Sequence, residues 1–129
     1  MSYNSSAQIF VTNNTGGTAT IHLAHQYSDD PPQQGSWTVP SGASAGPLSV
    51  GYNTGFLRSG EDSWWIGMEV ADGSSAGSYT SEGTADDPGK ICTLQSEDNG
   101  KSLTFSVDVD TFVMTEMSGS CSTSVSRLN

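Results

Sequence analysis

The sequence predicts an all-β fold: a single antiparallel β-sandwich of about eight or nine short strands, with a closed β-barrel as the alternative. Three observations point there. Apolar and polar residues alternate with the two-residue period of a strand, most regularly over 101–109, where Leu103, Phe105, Val107 and Val109 share one side. Turn-forming strings separate such segments at short intervals, among them Asn13-Asn14-Thr15-Gly16-Gly17, Asp72-Gly73 and Asn99-Gly100. No segment carries an apolar stripe at helical spacing with caps to start and stop it. The 129 residues suit one domain, 1–129. Its polar ends, 1–6 and 122–129, are expected to be flexible.

The elements follow in order. Ala7, Ile9 and Val11 alternate with Gln8, Phe10 and Thr12, and the return over 18–27 puts Ala19, Ile21, Leu23, His25 and Tyr27 on one face. Joined by the Asn-Gly-rich turn, the two read as a hairpin. Consecutive prolines make 29–35 a loop, because proline cannot donate to a ladder. A short strand around Trp37 and Val39 follows, then a turn over 40–46, then Leu48, Val50 and Tyr52 in alternation. Residues 53–60 read as an irregular loop leading to a central strand. Beyond Asp72-Gly73 lie a short strand over 77–81 and an acidic loop over 82–89. Strands over 90–95, 101–109 and 111–117 precede a Ser-rich tail.

The central strand, Glu61-Asp62-Ser63-Trp64-Trp65-Ile66-Gly67-Met68-Glu69-Val70, holds two of the three tryptophans. Trp64, Ile66, Met68 and Val70 form a core row, so Trp65, Gly67 and Glu69 point the other way. A ring beside a glycine is open to a flat partner, with a carboxylate one step further on. If a second layer covers that face, Trp65 is core instead. Tyr27, Tyr52, Phe56 and Tyr79 are further rings near loops. Aromatic rings stack on the apolar faces of sugars, and Asn53, Asp62, Asp86 and Asp87 could bond hydroxyls. Phe56-Leu57 beside the Trp pair would instead suit a lipid interface.

Composition narrows the partners. The net charge is -10, with only Arg58, Lys90, Lys101 and Arg127 as cations. Four cations cannot neutralise a run of phosphates, which argues against nucleic acid and against anionic lipid. Neutral glycans and zwitterionic lipids stay open. No apolar run is long enough to span a bilayer, and no signal peptide is visible at the start. The expected location is the cytoplasm, or outside by a non-classical route.

Other chemistry is weaker in the residues. His22 and His25 fall on opposite faces of a strand, so one core and one surface histidine are expected rather than a metal site. Acidic doublets at Asp29-Asp30, Glu61-Asp62, Asp86-Asp87 and Glu97-Asp98 read as solvated turn residues. Pooled Ca²⁺ ligands at one end of the sandwich are the alternative. Gly-x-Ser-x-Gly occurs around Ser44 and Ser75, but without the strand-to-helix context of a nucleophile elbow. A glycosidase would need a carboxylate pair such as Glu69 with Glu116 across a cleft, and loops this short leave little cleft. No enzyme is expected. Cys92 and Cys121 are the two cysteines. Paired, they would close a loop of about 30 residues worth roughly 3–4 kcal/mol; unpaired, they are half-buried thiols. The Ser-rich tail around Cys121 needs tying down, which favours the bridge.

From Ala7 through Asn13-Asn14-Thr15-Gly16-Gly17 to Leu23 the chain resembles the first hairpin of small acidic β-sandwich proteins of fungal fruiting bodies, a group that includes aegerolysins and several lectins. The likeness covers that hairpin and the general layout, and carries over no site residue. It implies a defence protein that binds glycans or membrane lipids. Together these readings predict a non-enzymatic, lectin-like carbohydrate-binding protein using Trp65, Glu69, Asp62, Asn53, Tyr52 and Phe56. A lipid-binding or lytic protein and a storage protein without a ligand site are the alternatives. A homo-oligomer would raise avidity for repeated glycans.

Overall fold

A computed structural model describes residues 2–55 and 60–128. Its strands are β1 (Ser5–Asn13), β2 (Ala19–Tyr27), β3 (Gln33–Val39), β4 (Ser44–Tyr52), β5 (Asp62–Val70), β6 (Gly77–Thr80), β7 (Lys90–Ile91), β8 (Ser102–Val107), β9 (Thr111–Thr115), β10 (Ser120–Ser124) and β11 (Ser126–Arg127), with a 3-10 turn at Ser96–Asp98. They form two sheets, one ordered β10-β9-β8-β1-β4 and the other β11-β6-β5-β2-β3, with β7 paired to β5. Neither closes on itself, so the architecture is a sandwich and not a barrel. Among the described strands one pair is parallel, β1 with β8, from Gln8 opposite Ser102 to Asn13 opposite Val107.

The expected first hairpin does not form. β1 pairs with β4 and β8 in one sheet, while β2 pairs with β3 and β5 in the other. The turn between them is a corner from layer to layer. Buried Asn13 holds it in shape: its Nδ2 donates to the Gly17 and Val39 carbonyls, and its Oδ1 accepts from the Thr15 amide and hydroxyl. Both apolar rows face the same core, but from opposite sides. The same holds for Asn99-Gly100, which leads from one sheet to the other rather than closing a hairpin.

That core is the set of inward rows that alternation predicts. Ile9 and Val11, Ile21 and Leu23, Ile66 and Met68, and Leu103 and Val107 are all buried. Each such aliphatic side chain contributes roughly 1.5–3 kcal/mol. Trp64 sits at the centre, edge-on to Phe105 at 5.0 Å, and Phe105 is edge-on to Phe112 at 5.9 Å. The Trp64 indole N–H donates to the Cys92 carbonyl at 2.9 Å, so the ring is buried without an orphan donor.

Both ends, expected to be loose, are attached. Tyr3 packs edge-on against Tyr27 at 6.0 Å and its hydroxyl donates to Asp30. The tail supplies β10 and β11, with Val125 buried between them. Cys92 and Cys121 are joined by a disulfide, which ties the segment after β7 to edge strand β10.

Asp98, expected in solvent, is sealed inside, and Glu116 is half-buried beside it. Asp98 is fully buried and accepts four hydrogen bonds, from the Gln95, Met117 and Ser118 amides and the Ser118 hydroxyl. Glu116, just after β9, has only a 3.3 Å contact from that same hydroxyl, and its Oε2 has no partner. Burial, and then the negative charge of Asp98, push the Glu116 carboxyl up to about 8, with Ser118 pulling partly the other way. A carboxyl raised in the folded state stabilises below its unfolded value and loses that contribution as pH rises through the folded one. Stability should therefore fall between pH 4.5 and 8, by roughly 1–2 kcal/mol once the half-exposed position is discounted for screening. Urea unfolding at pH 5 and pH 8 reads this, and Glu116→Gln should flatten the difference.

Candidate functional site

The outer face of the β11-β6-β5-β2-β3 sheet carries the candidate site. Alternation along β5 turns Trp65, Gly67 and Glu69 to that side, opposite Ala24, His22 and Thr20 of β2. A Cβ on Gly67 would run into the benzo edge of the Trp65 ring, so the ring lies over the glycine. Ala24 points outward yet is fully buried opposite this ring. The indole N–H donates to Thr80 Oγ1 at 2.9 Å, and that hydroxyl donates onward to the Ser81 carbonyl. The ring is half-buried and held from two directions.

Beside it lies a hollow of about 300 Å³ lined by Trp65, His22, Gln34, Ser36 and Ala85. Ala85 belongs to the acidic loop, which is pinned over the sheet by Gln34: its Nε2 donates to the Ala85 carbonyl at 3.0 Å and to Asp86 Oδ1 at 3.3 Å. His22 bridges two neighbours, with Nδ1 2.6 Å from Ser36 Oγ and Nε2 2.8 Å from Glu69 Oε1. The arrangement is one fixed aromatic wall with an amide, an imidazole, a hydroxyl and a carboxylate converging near it. Small-molecule sites have this make-up: an apolar surface with a few placed polar groups.

Of the residues expected here, Trp65 lines the hollow and Glu69 adjoins it through His22. Asp62 and Tyr52 are corrections, because both are fully buried. Asp62 bonds His25 Nε2 at 2.6 Å and the Leu94 amide, and the Tyr52 hydroxyl donates to the Gln95 carbonyl. Asn53 lies elsewhere, its Oδ1 accepting from the Asn4 amide. Phe56 and Leu57 lie outside the described residues. Tyr79 is buried, with its hydroxyl donating to the Ser75 carbonyl. Glu69 lies on β5 of one sheet and Glu116 just after β9 of the other. Among the described residues, no group of three or more His, Cys, Asp and Glu side chains is placed to hold a metal ion.

Gln34, Ser36 and His22 enter the site without having been expected there. The signal was present in part, since the strand period puts His22 on the face opposite His25. Ser36 could be found only by knowing that β3 pairs with β2 and sets it opposite His22.

Residues 3–87 match the protein family described as up-regulated in long-lived daf-2. The chain belongs to this family. The matched span contains β1 through β6 and every residue that lines the hollow, while β8 to β11 and both cysteines lie beyond it. No fungal lectin or aegerolysin family matches this member of the up-regulated-in-long-lived-daf-2 family. No curated protein matches the chain. No helix among the described residues is long and apolar enough to cross a membrane.

Proposed function

We propose that this protein is a lectin-like carbohydrate-binding protein whose ligand stacks on Trp65. One observation carries the reading: a tryptophan ring fixed by Gly67 beneath it and Thr80 at its edge forms the wall of a hollow that also presents Gln34, His22 and Ser36. A rigid ring costs little ordering entropy when a sugar stacks on it. The Gln34 side-chain oxygen, the Ser36 hydroxyl oxygen and the Glu69 carboxylate can accept from sugar hydroxyls. The charge of -10 leaves neutral or basic ligands as the matching class. A lipid seat built on Phe56, Leu57 and both central tryptophans is less well supported, because Trp64 is sealed in the core.

A glycan array tests the reading. Trp65→Ala should abolish retention of every glycan bound by the wild type, with a stability loss of about 1–2 kcal/mol, because the ring covers one outward face and not the core. Gly67→Ala should weaken binding as well, by displacing the ring that a Cβ would meet. An array left blank by the wild-type protein, or Trp65→Ala binding as before, overturns the proposal.

A further inference from the structure

Three neighbouring strands bring Ser36, His22 and Glu69 into one hydrogen-bonded row. Ser36 Oγ is 2.6 Å from His22 Nδ1, and His22 Nε2 is 2.8 Å from Glu69 Oε1. An ionised carboxylate only accepts, so Nε2 carries the proton given to Glu69. Nδ1 is then the acceptor in the neutral ring, and the Ser36 hydroxyl donates to it. A nucleophile bonded to a base, with the base oriented by an acid, is the geometry that activates a serine. The roles depend on these contacts and not on position in the chain, and either imidazole nitrogen can serve as the base. Ser36 is exposed at the hollow's edge, where a small molecule can reach it.

We propose that Ser36 is a nucleophile for acyl transfer from small esters, with His22 as general base and Glu69 as its orienting carboxylate. This goes beyond a binding role. It rests on the sugar reading only in naming O-acylated carbohydrates as the ester class that fits beside Trp65. Ser36 Oγ forms a bond to the ester carbonyl carbon while its proton passes to His22 Nδ1. The tetrahedral adduct collapses by breaking the C–O bond to the alcohol, which leaves with the proton from His22. Water then attacks the acyl-Ser36, again through His22, releasing the carboxylic acid and restoring the hydroxyl. Glu69 stays ionised and steadies the imidazolium formed in each half.

The Gln34 amide nitrogen beside Ser36 is already engaged by Ala85 and Asp86, so it does not stand ready for an oxyanion. Such a donor is typically worth about 10²–10³ in rate. Both halves are slowed alike by its loss, so a burst is expected with an ester of a good leaving group such as 4-nitrophenolate, which departs more readily than Ser36 Oγ does in the second half.

4-Nitrophenyl acetate tests this on the full chain. The wild-type protein should release a burst of nitrophenolate close to one equivalent, and peptide mass mapping should place the acetyl group on Ser36. Ser36→Ala should abolish the burst. His22→Gln should slow acylation by about 10²-fold or more, the usual contribution of a general base. Glu69→Gln should slow it less and shift the pH profile of the burst. Ser36 and Glu69 are exposed, so melting curves of their variants should match the wild type. An acetyl group found only on Lys90, Lys101 or the amino terminus, or a burst that persists in Ser36→Ala, overturns the proposal. A blank glycan array with acetyl-Ser36 formed would remove the sugar reading alone, and bound glycans without acetyl-Ser36 would remove this one alone.

Discussion

Replacing Asp62 by Ala should cost about 3–5 kcal/mol, the range for breaking one side of a buried charged pair. The carboxylate is fully buried and has two partners, His25 Nε2 at 2.6 Å and the Leu94 amide at 2.9 Å. Neither can reach water once it is gone. His25 is equally buried, and its second nitrogen lies 2.8 Å from Gln33 Oε1. That oxygen also accepts the Gly51 amide of β4, which fixes it as an acceptor and makes both ring nitrogens donors. One chain of contacts thus runs from Leu94 through β5, β2 and β3 to the opposite sheet, beside Trp64, whose ring lies 4.5 Å from the imidazole. His25→Ala should cost a similar amount. The double substitution should cost at least about 2 kcal/mol less than the sum, since each single change orphans what the other removes. Urea unfolding of the four proteins reads the cycle. Strict additivity would mean that the two side chains do not act as a pair.

The same residue shows where a sequence stops being informative. Alternation over 62–70 is enough to send Trp64 inward and Trp65 outward, because the period of two is a local property. Asp62 is different. In a doublet with Glu61 at the start of a strand it reads as a solvated turn acid, and its burial is decided by His25, 37 residues away. Asp98 follows the same rule, with its donors drawn from the 116–118 turn. The Asn13–Gly17 string is good chemistry for any reversal, whether hairpin or corner. The choice rests on β1 finding β8 and β4, which no neighbouring residue encodes. For the candidate site, the wall was legible and the polar row was not. Trp65 and Glu69 follow from one strand's period, whereas Ser36 and His22 meet only through the β2–β3 register.

Removing the disulfide should lower stability by about 3–4 kcal/mol, because the bridge joins residues 29 apart and so restricts a loop of that size in the unfolded chain. For a domain of this length that corresponds to a fall in Tm of roughly 10–15 °C. Cys121→Ala and reduction of the wild type should agree, since Cys121 is partly exposed on β10 and leaves no cavity. A loss below about 1 kcal/mol would mean that β9 pairing holds β10 in place without help. The bridge lies wholly in the part of the chain beyond the family match, and the hollow wholly within it. Below its lowered melting temperature the reduced protein should therefore retain glycans as the oxidised protein does. Parallel loss of retention and of stability would instead make the tail and the Trp65 face one cooperative unit, held together through the Trp64 indole that donates to the Cys92 carbonyl on one side of the strand while Trp65 lies on the other.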